Sequence, residues 1–371
     1  MDITVIDNEF VAFSIIDDYK SLIWTERYNQ CGDFELSIAM RDGLFDIFQI
    51  GFYLSIPNSN KIMIIEKVVV ESDIESGANM TISGRSLESI LDRRIVWGTI
   101  VLDGYINTQI AKLIDACFTN PEIEDRRISN MIFKTSSDFS VSAVKIRTQL
   151  TGDNVYETMC EICEKTGLGF KVTLNDRNQF IMEMYSGQDR SYDQTILPFV
   201  KFSSEFDNLK NSNFVVNLED YRNAAFIGGE GEGSARVFIG ITSGYTGLER
   251  RELYVDARDL SSDTGETTET GESIPMSMEE YIDILADRGA TRLSEHSIQT
   301  GFDGEADTNS MFQYGVDFNL GDIVEITDDY KNTMKVRVSE LIISHDSNGF
   351  QTYPTFSAVD YTDDYYIQEE E

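Results

Sequence analysis

A chain of 371 residues has room for about two to four domains, each able to bury a core of its own. Sixty-five acidic residues face thirty basic ones, a net charge of −35. That balance excludes the basic face with which a duplex nucleic-acid binder neutralises phosphates, and it repels anionic lipid headgroups. With 41% hydrophobic and 11% aromatic residues the chain is not a disordered one. Its longest apolar runs, such as 62–65 and 68–70, are strand-sized and broken by charge, so no membrane span is expected. Met1-Asp2 lacks a basic leader and predicts no signal peptide, and four cysteines do not make a disulfide scaffold, so synthesis in a reducing cytoplasm is expected.

The first hundred residues read as strands. Phe34-Glu35-Leu36-Ser37-Ile38 alternates, as do Phe52, Leu54 and Ile56, and Met63 and Ile65 return after the polar turn Pro57-Asn58-Ser59-Asn60. A short helix from about Ser86, with Leu87, Ile90 and Leu91 inward, closes a small barrel or sandwich over 1–100. Residues 101–205 change period. Ile106, Ile110, Leu113 and Ile114 fall at helical spacing, as do Val155, Met159, Ile162 and Cys163, with Gly167 and Gly169 as stops. Asn175-Asp176-Arg177-Asn178 then joins two strands in a hairpin, giving an α+β domain.

Strands return from 206 to 245, where Gly228-Gly229-Glu230-Gly231-Glu232-Gly233 bends one strand into the next. The stretch 246–307 is an acidic insertion; over 249–310 it carries sixteen Asp or Glu, five Arg and no Lys. Its middle, 261–271, is too polar to bury and predicts a mobile loop. Ser277 with Glu280 spells a capping box that opens a helix with Tyr281, Ile282, Leu285, Ala286, Gly289 and Leu293 on its apolar side.

The C-terminal part repeats the first. Ile50-Gly51-Phe52-Tyr53-Leu54-Ser55-Ile56 matches Leu320-Gly321-Asp322-Ile323-Val324-Glu325-Ile326. Each run enters a polar turn with a lysine (Lys61, Lys331), a return strand with a glutamate (Glu66, Glu340) and a turn glycine (Gly77, Gly349). The expected fold class is therefore α+β and β-rich. Two related β-barrel domains, at 1–100 and at 206–245 with 308–371, flank the α+β domain at 101–205 and the insertion at 246–307.

Catalytic chemistry finds little to stand on. Cys160-Glu161-Ile162-Cys163 lies inside a predicted helix with no second pair to complete a zinc tetrahedron, and it is not at a helix start, where a redox cysteine gains its acidity. His296 and His345 stand in no nucleophile-elbow or zinc-protease motif. The glycine run has neither the Lys-Ser/Thr of a phosphate loop nor a following helix, and its carboxylates repel phosphate. Asp259-x-Ser261-x-Asp263 lacks the glycine and the closing glutamate of a calcium loop. Trp24 and Trp97 read as core, which leaves no aromatic platform for a receptor or sugar. No catalytic residue, cofactor or metal site is expected.

Trp24-Thr25-Glu26-Arg27-Tyr28 followed by Gly32-Asp33-Phe34-Glu35-Leu36 resembles the opening of siphophage tail-tip proteins, the tail-associated or baseplate-hub family, similar in fold to the hub of contractile phages. The resemblance continues through Leu91-Asp92-Arg93-Arg94-Ile95, Gly152-Asp153-Asn154-Val155-Tyr156-Glu157, Gly187-Gln188-Asp189-Arg190-Ser191 and Phe202-Ser203-Ser204-Glu205-Phe206. It ends in Tyr221-Arg222-Asn223 and Tyr314-Gly315-Val316-Asp317-Phe318. These motifs follow family order over nearly the whole chain.

The resemblance implies a structural protein of the virion. It implies a homotrimer whose paired barrels make a pseudo-six-fold ring under the tail tube, in contact with the distal tail protein and with other tail-tip or fibre proteins. The chain runs out at 363–371, after the second barrel, where relatives continue into a peptidase, lysozyme or fibre region. A cell-wall-degrading enzyme, or a receptor- or carbohydrate-binding module, is the competing expectation. The excess of negative charge adds one more. A lumen that passes DNA without binding it should be acidic, and Glu230 and Glu232 in the glycine loop are the candidates to face it.

Overall fold

The computed structural model describes residues 1–57, 59–73, 77–267, 273–306, 311–347, 349–359 and 366–368. The N-terminal elements are β1 (Ile3–Ile6), β2 (Ala12–Ile16), β3 (Ser21–Arg27), β4 (Asp33–Ala39), α1 (Leu44–Ile47), β5 (Tyr53–Ser55), β6 (Met63–Asp73) and β7 (Gly77–Ser86). A mixed unit follows with β8 (Thr99–Tyr105), α2 (Ile106–Ile114), β9 (Met131–Lys134), α3 (Phe139–Ser142), β10 (Lys145–Thr151), α4 (Val155–Thr166), β11 (Gly169–Leu174) and β12 (Phe180–Tyr185). Next come β13 (Lys201–Ser203), β14 (Leu209–Asn217), β15 (Ala224–Gly228), β16 (Phe238–Thr242), β17 (Glu252–Asp256), β18 (Asp263–Thr267), β19 (Ser273–Pro275), α5 (Met278–Ser294) and β20 (Gln299–Ala306). The last elements are β21 (Ile323–Thr327), β22 (Thr333–Asp346), β23 (Gly349–Ala358) and β24 (Tyr366–Gln368).

The class is α+β and β-rich, as the periodicities require. The two expected barrels, however, are not separate closed bodies. Among the described residues their strands form one open path, β13-β21-β22-β3-β4-β7-β6-β5-β1-β2, with β23 on the other edge of β22. The joint is the antiparallel pairing of β22 with β3, from Glu340 opposite Arg27 to His345 opposite Leu22. Trp24, Phe34, Phe202, Phe318 and Phe356 share one core beneath this sheet, so the two ends of the chain bury each other. β15 and β16, expected in the second barrel, instead form a sheet with β17 and β24 that packs on α5 through Ala225, Ile227, Ile241 and Leu285.

Local signals in the sequence became local structure. Asn154 Oδ1 accepts from the amides of Tyr156 and Glu157 to start α4, and Gly167, with φ +67°, ends it. Both bonds of the Ser277–Glu280 capping box form. The helix expected from Ser86 is a 3₁₀ segment, Leu87–Arg93. The acidic middle of the insertion, expected as a mobile loop, is in part a hairpin in which β18 pairs with β19; residues 268–272 lie outside the described residues. Trp97, expected in a core, is 60% exposed and lies under the Arg126 guanidinium, 5.3 Å from the ring centroid.

The repeat is visible in the hydrogen bonds. Gly51 (φ +89°) donates its N–H to Ile65 O at 2.8 Å, and Ile65 donates back to Phe52 O at 2.8 Å. Gly321 (φ +90°) donates to Val338 O at 2.8 Å, and Val338 donates back to Asp322 O at 2.9 Å. A bulge follows at once in both, between Ile65 and Lys67 and between Val338 and Glu340. The three-strand meanders β5-β6-β7 and β21-β22-β23 are therefore the same device. This register sets Glu66 beside Ser339 rather than Glu340, one residue off the match read from sequence, because the two hairpin loops differ in length.

A second core lies in the α+β unit, around Leu102, Ile110, Phe118, Met159 and Phe170, and Lys61 and Glu88 form a buried ion pair between the first core and this one, their side chains 7% and 0% exposed. Glu88 Oε1 also accepts from the Val172 amide at 3.1 Å, and Glu26, pushed above the usual carboxylate range by burial, stands nearby. Removing one partner of such a pair strands a buried charge. Lys61→Met is expected to cost roughly 3–5 kcal/mol in urea unfolding, and Lys61→Met combined with Glu88→Met to recover most of that loss. A single variant as stable as the parent would show that the pair contributes nothing.

Candidate functional site

The glycine loop is built by its neighbours as much as by its glycines. Gly231 (φ +109°) and Gly233 (φ +58°) take the positive φ that the bend between β15 and β16 needs. Arg236 clamps the loop, giving Nε to Gly229 O at 3.0 Å and Nη2 to Gly228 O at 2.9 Å and to Asp256 at 2.8 Å. The Glu230 amide donates to Tyr281 Oη at 2.7 Å, and Tyr281 in turn donates to Leu260 O at 2.9 Å. Glu230 Oε2 accepts from both the amide and the hydroxyl of Ser262 at 2.8 Å. Glu230 is thus a tether to the acidic insertion, whereas Glu232 is exposed at the tip. Sequence reading missed Arg236 and Ser262, and it placed Tyr281 on the apolar side of its helix without the bond to the glycine loop. The arginine three positions after the glycine run was the available signal, since a cation there can satisfy the loop's carbonyls.

The aromatic rings of this sheet cluster on its outer face. Phe226 and Phe238 stack at 5.1 Å with an interplanar angle of 1°, and Tyr254 stands 6.2 Å from Phe226. Their ring faces are taken up by one another and by the Arg236 guanidinium, 5.2 Å from the Phe238 centroid.

The cysteines lie where the helical reading put them. Cys163 is buried on α4 and Cys160 half-buried. Burial lifts the Cys160 thiol to about 12 and the Cys163 thiol well above its usual value, so neither is a ready thiolate. The Nδ1 atoms of His296, just after α5, and of His345, on β22, are buried without a hydrogen-bond partner. His345 packs edge-on against Tyr19 at 5.4 Å. The fold does not set the two histidines on a common element, and among the described residues no group of three or more His, Cys, Asp or Glu could hold a metal ion. No helix among the described residues is long and apolar enough to cross a membrane.

Clefts open where the units meet. A cleft of about 660 Å³ lies between the end of β3, the end of α4 and β22, lined by Arg27, Tyr28, Gly167, Ser297, Arg337 and Glu340. Its cations serve the fold. Arg27 pairs with Asp33 and Glu340, and Arg337 donates to Gly321 O at 2.8 Å and covers Tyr28. A second cleft, of about 350 Å³, separates α5 from α4 and β10. Ion pairs span it: Arg147 to Asp283, and Lys165 to Asp287 at 3.6 Å. Burial holds Asp287 and Glu161 above the usual carboxylate range. These ion pairs tie the units together.

Residues 2–356 match the family described as Siphovirus ReqiPepy6 Gp37-like protein. The chain belongs to this family. The fold is also that of solved phage tail proteins. The tail protein from Neisseria meningitidis MC58 is 13% identical with a TM-score of 0.56, covering 96% of each chain. The 43 kDa tail protein of prophage MuSo2 from Shewanella oneidensis is 12% identical with a TM-score of 0.58, covering 98% of this chain and 100% of the other. Prophage tail protein gp18 from Listeria monocytogenes EGD-e is 10% identical with a TM-score of 0.51, covering 96% and 94%. No curated protein matches the sequence. The resemblance to siphophage tail proteins carried by the ordered motifs therefore stands, and at these identities the solved structures carry the fold rather than residue roles.

The thiols give a direct check on the reading of α4. At pH 8 a thiol titrating near 12 is ionised in roughly one molecule in ten thousand. Ellman's reagent is expected to label the native protein at Cys160 and Cys163 far more slowly than the urea-unfolded chain. Replacing both with Ala is expected to cost roughly 1–3 kcal/mol and leave assembly intact. Fast native labelling, or stoichiometric zinc in the purified protein, would count against this.

Proposed function

We propose that this Siphovirus ReqiPepy6 Gp37-like family member is a non-catalytic hub of the phage tail tip, incorporated in the virion after assembly in the host cytoplasm. Three copies form a ring that closes the distal end of the tail tube. The ring docks the distal tail protein and other tail-tip or fibre proteins, and lets DNA pass without binding it. The observation that carries this reading is the duplicated meander with matched hydrogen bonds, Gly51 to Ile65 and Gly321 to Val338. Two near-equivalent units per chain let a three-fold ring meet a six-fold tube, the kind of symmetry match that closed assemblies need. Symmetry analysis of imaged tail tips is expected to give three copies and six near-equivalent meanders. A monomer in the tail, or five-fold symmetry, would overturn the reading.

The net charge of −35 supports the passage of DNA, because carboxylates in a narrow low-dielectric lumen repel phosphate. Glu230 and Glu232 are the residues assigned to that lumen or its mouth. Glu232 is the cleaner probe, since Glu230 also holds Ser262. Glu232→Lys is expected to leave particles assembled but to slow DNA ejection, more at low salt, where screening is weak. Ejection kinetics equal to the parent's at low salt would remove Glu232 from the channel wall.

A further inference from the structure

The joint between the two halves of the chain is made once within the molecule, and the structure carries a second, vacant copy of it. On β22 the edge facing β21 changes partner after the bulge. β21 covers it up to Arg337; from Ser339 onward β3 takes over, with Tyr28 N donating to Ser339 O at 2.9 Å and six register pairs from Glu340 to His345. On β6 the equivalent edge starts the same way. β5 pairs with Met63 and Ile64, and Gly51 and Phe52 bond Ile65. Beyond the bulge, from Lys67 onward, no strand among the described residues lies on that side. Val68-Val69-Val70 stands at the places of Leu341-Ile342-Ile343. The consequence shows in exposure: Ile343, covered by the strand of Trp24, is 5% exposed, and its counterpart Val70 is 39% exposed.

The strand that would fill the vacancy is also present. In the first repeat β3 pairs with β4, and β4 with β7. In the second, β14 pairs antiparallel with β20, and β20 lies against β23. The insertion that holds α5 interrupts this second pair just where a short loop links β3 to β4. The register agrees as well, since Trp24 faces Phe34 in one pair and Phe214 faces Phe302 in the other. β14 has β20 on one side and, among the described residues, no strand on the other, and its Val215 and Val216 are 41% and 50% exposed. Exposed apolar strand edges invite pairing and persist where a partner covers them.

Within one chain β14 cannot reach β6, because β20, β23, β22, β3, β4 and β7 lie between them. We infer that β14 of one copy pairs antiparallel with the Lys67–Ser72 edge of β6 in the next copy, reproducing between chains the joint that β3 and β22 make within one. The inference rests on the ring reading and names its interface. The contact is head-to-tail, so it must close into a ring or run on as a filament. With Phe214 at the place of Trp24, Val215 lies opposite Val69, as Thr25 lies opposite Ile342.

The test uses the full chain in isolated tails. Residues directly opposite in an antiparallel pair bring their Cα atoms within about 4.5–5.5 Å, inside the range that a disulfide spans. A Val69→Cys and Val215→Cys double variant, mildly oxidised, is expected to give a reducible covalent trimer on a denaturing gel. Mixed single variants are expected to stop at a covalent dimer. Val70→Cys with Val215→Cys, whose side chains leave the sheet on opposite faces, is expected to give no cross-link. Intact three-fold tail tips without inter-chain disulfide would overturn the pairing and leave the ring standing. Cross-linking within one chain, or equal cross-linking of the control pair, would overturn the pairing or its register. Tail tips without a ring would overturn both.

Discussion

The ring of Tyr28 occupies the point on which the three parts of the molecule converge. It directly follows β3, is 1% exposed, and is packed so closely that a Cβ on Gly169 or Gly321 would overlap it, at 2.5 and 2.2 Å. Its hydroxyl lies 3.2 Å from Gly167 O and 3.3 Å from Tyr185 O, and accepts from the Gly187 amide at 3.2 Å. The Arg337 guanidinium covers the other side of the ring at 5.2 Å. One aromatic residue thus touches the N-terminal sheet, the α+β unit and the C-terminal meander, and burial pushes its phenol up to about 12. Gly169 is required by this approach alone, and Gly321 both by the approach and by its positive φ of +90°.

From that point the rest follows by layers. The β3–β22 joint, which Tyr28 terminates, fuses strands some three hundred residues apart into one sheet and one core. The Lys61–Glu88 pair fastens that core to the second, and the ion pairs of Arg147 and Lys165 fasten α5 and its sheet to the second unit in turn. The first fastening is dry and the last is wet. Screened pairs across an open cleft hold less tightly than a buried one. The acidic unit is thus fastened to its neighbour through solvent-exposed charges, where the first two cores are fastened through a buried one.

Much of this was legible in the sequence, for reasons of range. Helical spacing in α2, α4 and α5, the Ser277–Glu280 box, the Asn175–Asn178 turn and the Gly51 and Gly321 repeat are all decided by residues within a few positions of one another, so composition and period suffice. The ordered motifs also placed the chain in a siphovirus tail family. Tertiary structure alone decided which strand lies beside which. Alternation tells which face of a strand is buried but not which edge it pairs, so the single open sheet, the separate sheet of β15 and β16, and the vacant edge of β6 could not be read. The same limit hid the role of Lys61, whose partner is twenty-seven positions away, and misplaced Trp97, whose ring is covered by an arginine rather than by a core. Period and capping are properties of a segment; partner choice is a property of the whole chain's packing, settled by which apolar surfaces can be buried together.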